Sequence, residues 1–180
     1  MKHPARWAAL GVAVVVTALA VVLASQVSTN PQAQEQQSRL VGQSEPPFAV
    51  RTFTGQTLSS ASLAGRAVLV NFWNSWCIPC QQELPALKTF AAEHAGDSSV
   101  VLLGILRDDT VDAARPYAEA DGISWPLASD PGATLSLSFG TRGQPETYAI
   151  SPGGQVVGSE FGPASVRNLD TLLSAAQAHP

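Results

Sequence analysis

One short stretch, Trp76-Cys77-Ile78-Pro79-Cys80, limits what this chain can fold into more than any other. It holds both cysteines of the 180-residue protein, two residues apart. The run Ala67-Val68-Leu69-Val70-Asn71-Phe72-Trp73 before it reads as a buried strand. The segment from Cys80 to His94 after it reads as a helix, with Leu84, Leu87, Phe90 and Ala91 on one face. A strand that delivers a Cys-x-x-Cys to the start of a helix marks a redox dithiol. The first thiol sits where free backbone N–H groups and the helix dipole favour a thiolate. The thiolate is the form that attacks a disulfide. A purely structural disulfide is the weaker reading, because so short a loop adds little chain-entropy stabilisation. A zinc site needs about four soft or imidazole ligands. Only His3, His94 and His179 remain to complete one, so no metal is expected.

The composition narrows the partners. A net charge of −4 with 13% charged residues offers no basic patch for nucleic acid. The hydrophobic fraction of 45% suits a globular domain plus one very apolar segment. That segment is the uncharged run Trp7–Ala24, preceded by Lys2 and Arg6. At about 18 residues it reaches the lower limit for a helix that crosses a bilayer, and it exceeds the usual core of a cleaved signal. The next positive charge is Arg39, so the positive-inside rule puts Met1 in the cytoplasm and everything after Ala24 outside. The expectation is a single-pass membrane protein with an extracytoplasmic catalytic domain. Secretion after cleavage near Ala24 is the alternative. Residues 25–38, rich in Gln, Ser and Asn, read as a flexible tether, which leaves residues 39–180 as the folded domain.

Within that domain, Phe48–Arg51 and Gln56–Leu58 suggest a hairpin through Thr54-Gly55. Pro85 falls inside the helix after the cysteines and is expected to kink it. Val100–Leu106 has the unbroken apolar character of a parallel core strand. Thr110–Ala120 reads as a helix ended by Gly122, and Ala133–Ser138 as a short helical turn. A second hairpin, Thr147–Ile150 with Gln155–Glu160, turns at Ser151-Pro152-Gly153-Gly154. The tail is a helix with Val166, Leu169, Leu172, Leu173 and Ala176 inward. The order predicts an α/β fold with a central mixed sheet flanked by helices.

The segment from Phe72 to Pro85, reading FWNSWCIPCQQELP, resembles the active-site segment of membrane-anchored thioredoxin-like proteins of the ResA/TlpA/CcmG type, a group linked to cytochrome c maturation. Gly143-Gln144-Pro145-Glu146-Thr147-Tyr148 resembles that group's second motif. The likeness covers roughly Leu40 to Ala176. It implies a thioredoxin-like fold with an N-terminal β-hairpin and a helix-and-strand insertion around Asp109–Asp130.

It also implies roles. Cys77 is the exposed nucleophile and Cys80 the more buried resolving thiol. Thioredoxins proper carry a buried aspartate six residues before the first cysteine; here that position is Asn71, which cannot titrate. In the ResA-like group a glutamate matching Glu83 tunes the cysteines instead. Pro145, after a cis peptide bond, lies opposite Cys77, and Gln144 offers backbone groups to an extended client. Glu146 is expected at the rim, reading client charge, and Trp76 offers an apolar contact. From the residues alone, Trp73 and Trp125 are packing residues, and Asp108, Asp109 and Asp112 are a helix N-terminal acidic cluster.

The expected function is an extracytoplasmic thiol–disulfide oxidoreductase that uses no cofactor beyond the Cys77–Cys80 disulfide. It would reduce disulfides in client proteins, such as the Cys-x-x-Cys-His haem-attachment site of an apocytochrome c. A membrane thiol reductase of the CcdA or DsbD kind would supply electrons. The alternative is a DsbE-like oxidase that forms disulfides in secreted proteins. Asn74-Ser75-Trp76-Cys77 lacks the Thr-x-x-x-Cys pattern of a peroxidase. A copper- or haem-handling module would need a third ligand, and Met1 is the sole methionine.

Overall fold

The computed structural model describes Thr17 and residues 38–179. The expected anchor (Thr17 apart) and the tether (Ser38 apart) lie outside the described residues. Among those that are described, no helix is long and apolar enough to cross a membrane.

A two-stranded hairpin comes first, β1 (Ala49–Arg51) with β2 (Thr57–Ser59), antiparallel with Val50 opposite Leu58. A single helical turn follows, α1 (Ser60–Leu63), started by a capping box in which the Ser59 and Ser62 side chains serve each other's backbone N–H. The centre of the molecule is a five-stranded sheet in the order β5-β4-β3-β6-β7. Its strands are β3 (Ala67–Trp73), β4 (Val100–Leu106), β5 (Leu127–Ser129), β6 (Glu146–Ile150) and β7 (Val156–Phe161). β3, β4 and β5 run parallel, while β6 is antiparallel to both β3 and β7. The mixed sheet follows from the connections. Parallel neighbours need a crossover, supplied by α2 (Ile78–Glu93) and α3 (Val111–Ala120), whereas the tight turn after Ile150 returns the chain antiparallel. Helix α4 (Thr134–Phe139) and the terminal α5 (Val166–Gln177) complete the domain. α3 and β5 occupy the stretch where the resemblance implies an insertion.

β3 is buried at every position, as its near-continuous apolar run requires. Its alternate side chains feed two cores. Leu69 and Trp73 meet Leu84, Leu87 and Phe90 of α2 and Leu169 and Leu173 of α5 on one face. Val68, Val70 and Phe72 meet Leu135 and Phe139 of α4 and Tyr148 on the other. Helices therefore cover both faces. Each large apolar side chain withdrawn this way contributes about 1.5–3 kcal/mol. Both sheet edges are partly covered. Thr52 bridges to Ala128 on β5, and Ser44 bridges to Gln155 at the start of β7. Helix α2 continues through Pro85, which lies inside it.

Candidate active site: a disulfide at a helix cap backed by a buried glutamate

β3 ends at Trp73, and four residues later Cys77 caps α2. Cys77 Sγ accepts the Cys80 N–H at 3.1 Å, so the sulfur occupies the place of an N-cap oxygen at the positive end of the helix. Cys77 and Cys80 are joined in a disulfide, with Cα atoms 5.2 Å apart. Across the site the Gln144–Pro145 peptide is cis, and Gln144 O lies 3.7 Å from Cys77 Sγ. The loop before β6 thus stands directly against the first cysteine. Cys77 is expected to be the exposed cysteine, yet it is only 5% accessible, much like Cys80. The exposed groups are its neighbours: Trp76 is 61% accessible and Ile78 stands out beside it. The residues flanking Cys77 thus expose apolar surface.

Glu83 lies on the inner stripe of α2 with Cys80, Leu84 and Leu87, and is 1% accessible. Its carboxylate is held between elements. Asn71 Nδ2 of β3 donates to Oε1 at 2.7 Å, and the Ala164 N–H just before α5 donates to Oε2 at 3.0 Å. Asn71 Nδ2 also donates to Thr147 Oγ1, its cross-strand neighbour on β6, at 3.0 Å. Burial pushes the Glu83 carboxyl up to about 7, opposed by the hydrogen bonds from Ala164 and Asn71. Asn71 thus holds Glu83 from the sheet side. Asn71, Cys80 and Glu83 line one small cavity of ≈ 10 Å³ roofed by Trp73 and Trp125, large enough for a single water at most. Gly104 makes room for Leu127 and the Trp73 indole; a Cβ there would come within 2.5 Å of Leu127 Cδ2 and 3.1 Å of Trp73 Nε1.

Glu146 departs from its expected place. Instead of standing at the rim it is 0% accessible, on the sheet face opposite Glu83. Its Oε2 accepts the Arg142 N–H at 2.9 Å, and its Oε1 pairs with the Arg142 guanidinium at 3.3 Å. Tyr148 Oη, 3.0 Å away, divides one proton between this carboxylate and Phe139 O. Glu146 therefore holds the Pro145 loop from within. Arg142 in turn lies over the half-exposed Phe161 ring, 4.4 Å from its centroid.

Three features escape sequence reasoning: the Ala164 N–H, the Arg142–Glu146 lock, and a clamp from Asp109 onto Ser75, described below. Trp73 is core, and Trp125 packs over the cavity. Asp109, read as part of an acidic cluster, reaches away from it to Ser75. Among the described residues no group of acidic, His and Cys side chains could hold a metal ion.

The model of the AhpC/TSA family matches residues 41–159. The thiol-disulfide oxidoreductase ResA of Bacillus thuringiensis (strain Al Hakam) is 26% identical over 133 residues, 74% of this chain and 76% of its own length. The thiol:disulfide interchange protein DsbE of Pseudomonas fluorescens biotype C is 36% identical over 121 residues, 66% of this chain and 65% of its own. Among solved structures, a thiol:disulfide interchange protein of the thioredoxin family from Chlorobium tepidum TLS superposes with a TM-score of 0.67 at 28% identity, over 77% of this chain and 97% of that one.

Proposed function

The chain belongs to the AhpC/TSA family and is a thioredoxin-like thiol–disulfide oxidoreductase of the ResA/DsbE kind; from that premise we propose that it acts outside the cytoplasm as a reductase of client disulfides. The observation that carries this direction is Glu83, buried in the cavity that also borders Cys80. A negative charge there disfavours a second one on sulfur. With a Cys80 thiolate left unstabilised, the pair gives up its electrons more readily than a strongly oxidising one, while the helix cap keeps Cys77 available as the attacking thiolate.

In this reading the reduced Cys77 thiolate attacks one sulfur of a client disulfide. The client S–S bond breaks and a mixed disulfide forms. Glu83, as carboxylate, takes the proton from the Cys80 thiol. The Cys80 thiolate then attacks Cys77 Sγ, the mixed disulfide breaks, and the client leaves as a dithiol after taking up protons. The Cys77–Cys80 pair ends oxidised, and two electrons have passed to the client. Gln144 and Pro145 line the opposite wall, where an extended client strand lies against backbone. Apocytochrome c, with its paired haem-attachment cysteines, is a client of the right chemistry. An N-terminal anchor over residues 1–24 and a membrane thiol reductase of the CcdA or DsbD kind complete the proposal.

The reduction potential tests it. A value below about −200 mV is expected, and one near or above about −150 mV would establish an oxidase instead. Cys80→Ser should trap the client as a mixed disulfide in cells. Recovery of cytochromes supports the reading, and recovery of non-haem secreted proteins alone sinks it.

A further inference from the structure

The loop that carries Cys77 is fastened from a distant part of the chain. Asp109, in the connection between β4 and α3, accepts both the Ser75 N–H at 3.0 Å and the Ser75 Oγ–H at 2.6 Å on the same carboxylate oxygen, Oδ2. Its other oxygen accepts the Thr110 N–H at 2.7 Å. From the helix side, Gln81 Nε2 donates to Ser75 O at 2.9 Å. All three polar groups of Ser75 are thus engaged, two of them by Asp109. Burial raises the Asp109 carboxyl, but the hydrogen bonds from Ser75 and Thr110 outweigh it and leave the group below the usual carboxylate range. It is therefore charged at neutral pH, where such bonds are strongest. The loop that presents it is itself shaped for the task. Asp108 takes a left-handed backbone with φ 53°, rare for a non-glycine residue, and pairs with Arg107 at 3.1 Å. Arg107 N–H continues the strand ladder by donating to Trp73 O at 2.9 Å.

We propose that Asp109 is a positioning residue for the dithiol: by clamping Ser75 it fixes the turn from which Cys77 meets the client disulfide. Ser75 is two residues before Cys77, so their Cα atoms are at most about 7 Å apart, and any slack at Ser75 passes to the sulfur through Trp76 alone. In-line attack on a disulfide tolerates little misplacement, and an error of about 1 Å can cost about 100-fold. The clamp also couples two loops. A client that pushes on the β4–α3 connection would move the active-site turn with it. The inference rests on the exchange activity and not on its direction.

The test is a double-mutant cycle on the full chain. Asp109→Ala, Ser75→Ala and the pair together are reduced and mixed with a quenched fluorescent peptide containing one disulfide. The wild-type rate, and its loss in Cys77→Ser, check the proposed activity separately. Asp109→Ala should exchange about 10-fold more slowly and Ser75→Ala about 3-fold more slowly, while the double variant is no slower than Asp109→Ala alone. Asp109→Asn, which keeps one acceptor, should recover part of the rate. An Asp109→Ala rate within twofold of wild type overturns the proposal, as does a double variant slowed by the product of the single effects. Should Asp109→Ala not fold, wild-type rates in both Asp109→Asn and Ser75→Ala overturn it equally.

Discussion

Two glutamates lie against the same end of the sheet, equally hidden from water, and their surroundings give them opposite characters. Glu146 has an arginine, a tyrosine hydroxyl and a backbone N–H around one carboxylate. Glu83 has an amide and a backbone N–H, no cation among its hydrogen-bond partners within the described residues, and a largely apolar wall. Charged and polar partners fasten Glu146 in place; at Glu83 desolvation outweighs the two donors and raises the carboxyl. Glu146 is thus built to stay put and hold the loop of Pro145. Glu83, pushed up to about 7, changes charge in the range where thiols exchange. Burial alone does not identify a chemical group. What distinguishes the two is whether the burial is compensated.

The sharpest way to break the comparison is through pH. The Glu83 carboxyl rises from an ordinary 4.5 to about 7 on folding, so the folded protein holds this proton more tightly than the unfolded chain. Its contribution to stability is fully present below pH 4.5 and is lost as pH rises through 7, a change of about 3 kcal/mol. Glu83→Gln cannot titrate. Denaturant titrations of the oxidised protein at pH 4.5 and pH 8 should therefore show the stability difference moving in favour of the glutamine variant by about 3 kcal/mol. The variant also places one amide N–H₂ against a donor, but that offset is the same at both pH values. Parallel curves for the two proteins would show that Glu83 does not titrate in this window.

Glu146→Gln should act with the opposite sign. It removes the charge that the Arg142 guanidinium and N–H and the Tyr148 hydroxyl all face. A hydrogen bond to a charged group is worth about 1.5–3 kcal/mol. Arg142 can turn partly to solvent, so a loss of about 2 kcal/mol is expected, read as a drop in Tm of roughly 4–8 °C. A variant as stable as wild type would reduce Glu146 to a spectator and erase the contrast.

That contrast was only half legible in the chain. Glu83 is legible through the resemblance; helix arithmetic puts positions 80, 83, 84 and 87 on one face, yet from the residues alone a lone glutamate there reads as a solvated helix charge. Asn71 signalled too: an amide in the middle of an apolar strand must be bonded. Glu146 misled because the first residue of a strand beside a loop normally faces water. Here both faces of β6 are covered, so alternation carries no information. The Asp109–Ser75 clamp joins residues 34 apart and leaves no local pattern at all. β5 has three residues, too few for any period to show. The strong elements were readable because β3, β4 and α2 each repeat one environment over seven residues or more. The lock and the clamp depend on single contacts between loops.

The smallest effect separates both glutamates from the surface. Trp76 is 61% accessible, lies between the clamped Ser75 and Cys77, and is exposed as Ile78 is. An aromatic ring left in water beside a reactive sulfur adds nothing to the core it does not touch, so Trp76→Ala should change stability by no more than about 0.5 kcal/mol. Under the proposed exchange its contribution would lie in contact with the client, where one exposed ring supplies about 1 kcal/mol on partial burial. The expected result is a KM for a disulfide-containing peptide raised about fivefold with kcat unchanged, the pattern of uniform binding. A fall in kcat instead would mean that the ring helps to set the geometry of Cys77, as the clamp on Ser75 does. A fall in Tm would mean that Trp76 belongs to the scaffold with Glu146. Only an isolated change in KM leaves three separate roles around one disulfide: a buried carboxylate that titrates, a buried carboxylate that holds, and an exposed ring that binds.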